Sequence, residues 1–185
     1  MIDRKRLFIV ITGIFLLCQF GLAQFDDEED VAKFKVFKSY DCIHPGMELR
    51  IAVKATIKGM WHINSNEPSE DYMIGTSVEI PAGGTFELKE VIYPEPFELM
   101  LGIADSPMSV YEGEIIIRGS IPIPEDIGLG SHKIPIHINY QACNDTSCLP
   151  PRSVKKEISI DVVDANTPIK EINKEIFAKL SEQNQ

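Results

Sequence analysis

The feature that most constrains this fold is a two-residue hydrophobic period, repeated along the chain between turn residues. Residues 132–140 alternate through Ile134, Ile136, Ile138 and Tyr140, and residues 154–163 through Ile158, Ile160 and Val162. Successive side chains of a strand point to opposite faces, so each run buries one face and wets the other. In residues 48–58, Leu49, Ile51, Val53, Ala55 and Ile57 share one face, with Arg50, Lys54 and Lys58 on the other. Strand signals recur at 33–39, at Trp61-His62-Ile63 after a break at Gly59, and at 76–80, 85–93 and 114–121. Asn64-Ser65-Asn66-Glu67-Pro68, Pro81-Ala82-Gly83-Gly84 and Gly128-Leu129-Gly130 punctuate them as turns. Short strands with no helices between them predict an all-β antiparallel sandwich. The tail differs: after Thr167-Pro168, the spacing of Ile169, Ile172, Ile176, Phe177 and Leu180 predicts a short C-terminal helix.

The start of the chain reads as an export signal. Arg4, Lys5 and Arg6 precede an uncharged apolar run over 7–20, and Gly21-Leu22-Ala23 supplies small residues for cleavage after Ala23. The run is shorter than the ~20 residues of a membrane span, and no later stretch is long and apolar enough. The expected organisation is a signal peptide over 1–23, an acidic leader over 24–32, one domain over 33–164, and a linker with helix over 165–185. The formal charge is −10, and losing Asp3, Arg4, Lys5 and Arg6 removes three positive charges and one negative to leave −12. Such a chain repels phosphate backbones, so nucleic acid is not an expected partner. The expected location is outside the cytoplasm, periplasmic or secreted.

Without the signal, three cysteines remain: Cys42, Cys143 and Cys148. Export favours disulfides, and the close pair is the obvious one, with Cys42 left over as a buried inert thiol or a reactive one. Cys143 ends one strand run and Cys148 precedes the next, with Asn144-Asp145-Thr146-Ser147 as turn composition between them. Antiparallel neighbours lie ~4.5–5.5 Å apart at Cα, within disulfide reach. A closed loop of about six residues stabilises by only about 2 kcal/mol, and less where strand pairing already closes the loop. Spacing alone therefore leaves a structural staple and an exchange centre both open. Zinc would need two more ligands, and His132 and His137, five apart on a strand, point to opposite faces. No triad, phosphate loop or metal cluster is present in the sequence, so no cofactor or metal is expected. Of His44, His62, His132 and His137, only His62 beside Trp61 invites inspection near a functional surface.

The segment Tyr140-Gln141-Ala142-Cys143 through Cys148-Leu149-Pro150-Pro151 resembles the redox motif of the amino-terminal domain of the thiol:disulfide interchange protein DsbD family. Trp61-His62-Ile63-Asn64-Ser65-Asn66, Tyr93-Pro94-Glu95-Pro96 and Val110-Tyr111-Glu112-Gly113 resemble that domain in the same order, over roughly 34–163. The resemblance implies an immunoglobulin-like sandwich in the periplasm. Such a domain takes electrons from a membrane-spanning thiol relay and passes them to thioredoxin-like proteins that correct disulfides or serve cytochrome c maturation. It implies that Cys148 forms the mixed disulfide with partners and that Cys143 resolves it. Tyr140 flanks the pair, and Val110, Tyr111 and Glu112 match a loop that caps it.

The pattern departs in three places. Full-length members continue into a transmembrane carrier and a thioredoxin-like domain, so a chain complete at Gln185 takes its electrons from another chain. Four residues separate the cysteines, fewer than in some members, and Cys42 has no counterpart. A second function class stands beside interchange: a non-catalytic exported binding or assembly module with a structural disulfide. Nothing in the sequence sets the oligomeric state.

Overall fold

In a computed structural model that describes residues 30–178, the alternating runs become strands. In chain order they are β1 (Ala32–Lys38), β2 (Cys42–Ile43), β3 (Glu48–Ile57), β4 (His62–Asn64), β5 (Ser77–Glu79), β6 (Lys89–Ile92), β7 (Phe97–Leu99), β8 (Met108–Tyr111), β9 (Glu114–Pro122), β10 (Gly130–Tyr140), β11 (Ala142–Cys143) and β12 (Arg152–Val162), followed by helix α1 (Lys174–Ala178). They form three four-stranded sheets, ordered β1-β3-β9-β6, β2-β12-β10-β5 and β11-β4-β8-β7. The first two sheets share one core, with Phe34, Leu49, Ile51, Val53, Ile117 and Ile121 from one and Ile134, Ile136, Ile138, Ile158 and Ile160 from the other. These are the apolar positions of the alternating runs, and the architecture is the expected immunoglobulin-like sandwich, with the parallel β2–β12 pair the exception to antiparallel pairing.

The third sheet positions the cysteines. It is built where strands of the sandwich run on: β3 leads into β4, β10 into β11, and β8 leads back into β9. The changes of direction need left-handed backbone, which Met60 (φ 68°) and Gly113 (φ 62°) supply. The Ile57 N–H donates to the Gly113 carbonyl at 2.8 Å, so the two turns are held together. The break predicted at Gly59 is thus real, but the left-handed residue is its neighbour Met60.

Other expectations shift. Of the run 85–93 only Lys89–Ile92 is a strand, and its pairing with β9 is interrupted where Glu90 takes φ 50°. β7 was not expected, since three residues carry no readable period. Among the described residues the tail is helical over Lys174–Ala178. Before it the chain is extended and bridged, Glu171 pairing with Tyr40, because the Asp41 and Ser39 backbones capture it. Lys170 O accepts from Asp41 N at 3.1 Å, and the Ile172 N–H donates to Ser39 O at 2.9 Å. The presumed signal peptide, its cleavage site, Cys18 and most of the acidic leader lie outside the described residues. Among the described residues no helix is long and apolar enough to cross a membrane.

Candidate functional site: a half-buried disulfide on a small sheet

Tyr140, Gln141 and Ala142 carry β10 into β11 and deliver Cys143 to the third sheet. Cys143 and Cys148 are joined by a disulfide, with their Cα atoms 4.0 Å apart. The loop between them folds locally around Asn144, whose Oδ1 accepts from the Thr146 and Ser147 amides, both at 2.9 Å. This is the asparagine turn that the composition predicts. The Leu149 N–H donates to Ala142 O at 2.8 Å, closing the neck behind the disulfide. The two sulfurs sit in unlike surroundings. Cys143 is 1% exposed and packs with Leu101, Met108 and Val110. Cys148 lies beyond the turn and is exposed.

The sheet register places chemistry beside Cys143. Cys143 is opposite His62, and Ile63 is opposite Tyr111. Residues opposite one another share a face, so Cys143, His62 and Glu112 form one row across β11, β4 and the end of β8. His62 Nε2 lies 3.2 Å from Glu112 Oε2. The Phe97 ring meets the His62 ring edge-on, with centroids 6.3 Å apart. His62 Nδ1 is buried without a hydrogen-bond partner.

A turn after β7 covers Cys143 and leaves Cys148 exposed. A Cβ on Gly102 would stand 2.8 Å from the Asp145 carbonyl oxygen, so this turn lies directly on the disulfide loop and only glycine permits that approach. Leu101, 1% exposed, enters the cluster that holds Cys143. On another side, Gln141 ties three segments together: its Oε1 accepts from Ile74 N at 3.2 Å and its Nε2 donates to Leu149 O at 3.2 Å. The Gln141 carbonyl accepts from Asn64 N at 3.1 Å. These segments bear exposed apolar side chains, among them Tyr72, Ile74, Phe97, Met100 and Ile103.

The structure brings together some of the expected site residues and separates others. Val110 joins the Cys143 cluster, and Glu112 reaches the row through His62. Val110 and Tyr111 stand on β8, not in a loop, and Tyr111 is 1% exposed in the main core. Its hydroxyl donates to Asn66 Oδ1, and burial pushes the phenol above its ordinary pKa, keeping it a neutral donor. Tyr140 is likewise a core residue, its ring 5.1 Å from that of Phe34. Neither ring belongs to the cluster around Cys143, because the alternation of β8 and β10 sends both inward. Leu101, Gly102, Met108 and Gln141 were not anticipated. The one signal for Leu101 and Gly102 was the apolar stretch Leu99-Met100-Leu101-Gly102-Ile103, interrupted by a glycine, and Gln141 stands inside the cysteine motif itself.

The remaining candidates stand apart from the disulfide. His132 Nε2 is 2.7 Å from the Gly128 carbonyl, and His137 is opposite Glu79 and Lys155. Among the described residues no group of three or more His, Cys, Asp or Glu is arranged to hold a metal ion. Cys42 is half-buried, and burial together with the Asp41 carboxylate pushes its thiol pKa up. A raised pKa leaves less thiolate at neutral pH, which makes Cys42 a poor nucleophile.

Comparison with known proteins adds the following. The family model described as "Thiol:disulfide interchange protein DsbD, N-terminal" matches residues 28–159. The crystal structure of the N-terminal periplasmic domain of ScsB from Proteus mirabilis superimposes with a TM-score of 0.54 at 11% identity. That match covers 84% of this chain and 54% of the other, so the chain spans about half the length of that solved chain. A PapD-like domain of human CEP192 gives a TM-score of 0.33 at 14% identity over 72% of this chain and 87% of that one, too low to carry an argument. No curated protein sequence matches.

Proposed function

Because the chain belongs to the family of DsbD amino-terminal domains and is thus a thiol-disulfide interchange domain, we propose that Cys143 and Cys148 are a reversible dithiol–disulfide centre. It carries electrons between a membrane-bound thiol donor and thioredoxin-like acceptors in the periplasm. The acceptors are proteins that correct disulfides or serve cytochrome c maturation.

The observation that carries this reading is the unequal exposure of the two cysteines. Thiol-disulfide exchange needs an attacking thiolate in line with an accessible sulfur. A donor thiolate can reach the exposed Cys148 Sγ, forming a donor–Cys148 bond while the Cys143–Cys148 bond breaks and Cys143 leaves with the electron pair. The donor's second thiol then displaces Cys148, so the donor dithiol is oxidised and the pair is reduced by two electrons. Delivery to an acceptor runs the same steps in reverse: Cys148 attacks, and Cys143 resolves. The turn on Gly102 serves as the cover, a role the resemblance had given to Tyr111. The exposed Met100 and Ile103 flank the Gly102 turn that lies on the disulfide loop and offer a docking partner apolar contacts.

Equilibrium titration against a glutathione or dithiothreitol redox buffer tests the reading. A potential above about −270 mV is expected; one below about −300 mV makes the disulfide a structural staple. A Cys143→Ala variant should accumulate mixed disulfides through Cys148 with thioredoxin-like proteins, and failure to do so counts against the relay.

A further inference from the structure

We infer that His62, held by Glu112, is the proton relay for Cys143. This rests on the interchange reading above and adds what the two cysteines cannot do for themselves. Cys143 is 1% exposed among Leu101, Met108 and Val110. A thiolate expelled there has no water to stabilise it, since burial in apolar surroundings disfavours the charged form. The same burial keeps the resolving thiol protonated when it must attack. Both directions therefore need a proton donor and acceptor at Cys143, and the exposed Cys148 does not.

The row across the small sheet supplies one. His62 is the direct cross-strand partner of Cys143, which holds the two Cβ atoms about 4.5–5.5 Å apart on one face. Glu112 flanks His62 on the opposite side, its Oε2 3.2 Å from Nε2. A carboxylate at Nε2 selects the tautomer that carries its proton there, leaving Nδ1 as the basic lone pair. Nδ1 is the ring nitrogen that is buried with no hydrogen-bond partner. From β11 the group facing His62 is Cys143, from the end of β8 it is Glu112, and from β7 it is the uncharged ring of Phe97. Glu112 itself is 59% exposed, which gives the ring an outlet to solvent.

The steps balance. On delivery to an acceptor, the Cys143 thiol gives its proton to His62, and the resulting thiolate attacks Cys148 Sγ. The Cys143–Cys148 bond forms, the partner–Cys148 bond breaks, and the partner leaves as a thiolate that takes a proton from water. On reduction, the departing Cys143 thiolate takes the proton back from the imidazolium. His62 thus stands across the strand pair from the residue that bears the reacting sulfur, and Glu112 acts through it as a positioning residue.

Oxidised glutathione is a suitable probe, because it first forms a mixed disulfide at Cys148 and then is released as Cys143 resolves it. The full chain carrying Cys18→Ser and Cys42→Ser leaves the pair as its thiols. Rapid acid quench and mass spectrometry read the two steps separately from pH 5.5 to 9. In His62→Gln the first step should be unchanged and resolution should slow by about 100-fold, within the range of general acid–base contributions. The pH dependence of the resolution step should flatten in both His62→Gln and Glu112→Ala. Glu112→Ala, at an exposed position, should slow the same step by a smaller factor. Resolution at the parental rate and pH profile in both folded variants overturns the relay while leaving interchange intact. A parental protein that never forms the mixed disulfide overturns both.

Discussion

At the scale of single residues, the site depends on where small and polar side chains let segments approach. Gly102 is the clearest case, because no other residue lets its turn lie on the Asp145 carbonyl. In Gly102→Ala the Cβ would stand 2.8 Å from a backbone oxygen that cannot swing away, so the turn must move. Overpacking of this kind costs about 1–3 kcal/mol, which converts to a population of the open form at least about fivefold larger. In the reduced protein, alkylation of the buried Cys143 by iodoacetamide should accelerate by that factor, and an unchanged rate would show that the turn does not guard it. The sequence carried part of this. The motif names Cys143, Cys148, Val110, Tyr111, Glu112 and Tyr140, and the structure packs Val110 with Cys143 and the rings of Tyr111 and Tyr140 in the main core. A tyrosine one residue from a functional position points to the other face of its strand, and a motif in one dimension does not record faces.

At the scale of elements, the tail is an integral strap. Asp41 Oδ1 accepts from the amides of Cys42 at 2.7 Å and Lys170 at 2.9 Å. Asp164 accepts from Asn166 N at 2.9 Å and Thr167 Oγ1 at 2.8 Å. Further on, Arg50 pairs with Glu171 at 3.1 Å and lies over the Phe177 ring. The bonds to Lys170 and Cys42 lower the pKa of Asp41, and those to Thr167 and Asn166 lower that of Asp164. A depressed carboxylate pKa contributes stability that is present above the unfolded value and is lost as pH falls through the folded one. The strap should therefore stay docked at pH 5 and loosen only below about pH 4. Amide hydrogen exchange at Lys170, corrected for its intrinsic pH dependence, should show protection falling in that window ahead of the Ile136 and Ile158 amides. Protection that Asp41→Asn leaves unchanged at neutral pH would show that this carboxylate does not anchor the strap. The predicted short C-terminal helix forms, but from Lys174, because the apolar residues before it also satisfy an extended segment held by partners at Ser39 and Asp41.

For the whole molecule, the disulfide is an addition to a fold that other contacts close. β10 and β12 pair from Gly130↔Val162 through Tyr140↔Arg152, so the cysteine loop caps a ladder that already holds its ends together. The entropic contribution of so short a loop is at most about 2 kcal/mol. The reduced protein should keep its fold, with the unfolding free energy from urea titration lowered by no more than that amount and the m-value nearly unchanged. Loss of cooperative unfolding on reduction would instead identify the pair as a staple. An interchange domain requires a fold that survives both redox states.

The sequence by itself determined the architecture and the location of the chemistry. Period-two burial and turn residues act over a few positions and follow from local sterics and the hydrophobic effect, so the sandwich strands and the cysteine neck could be read directly. Only the tertiary structure decided which sulfur faces solvent, that the cover comes from the Gly102 turn, and that Cys143, His62 and Glu112 share one row. These features depend on the register of β4 against β8 and β11, and on the turns at Met60 and Gly113 that bring those strands into a third sheet. Register joins residues some fifty to eighty positions apart, and no local pattern encodes it.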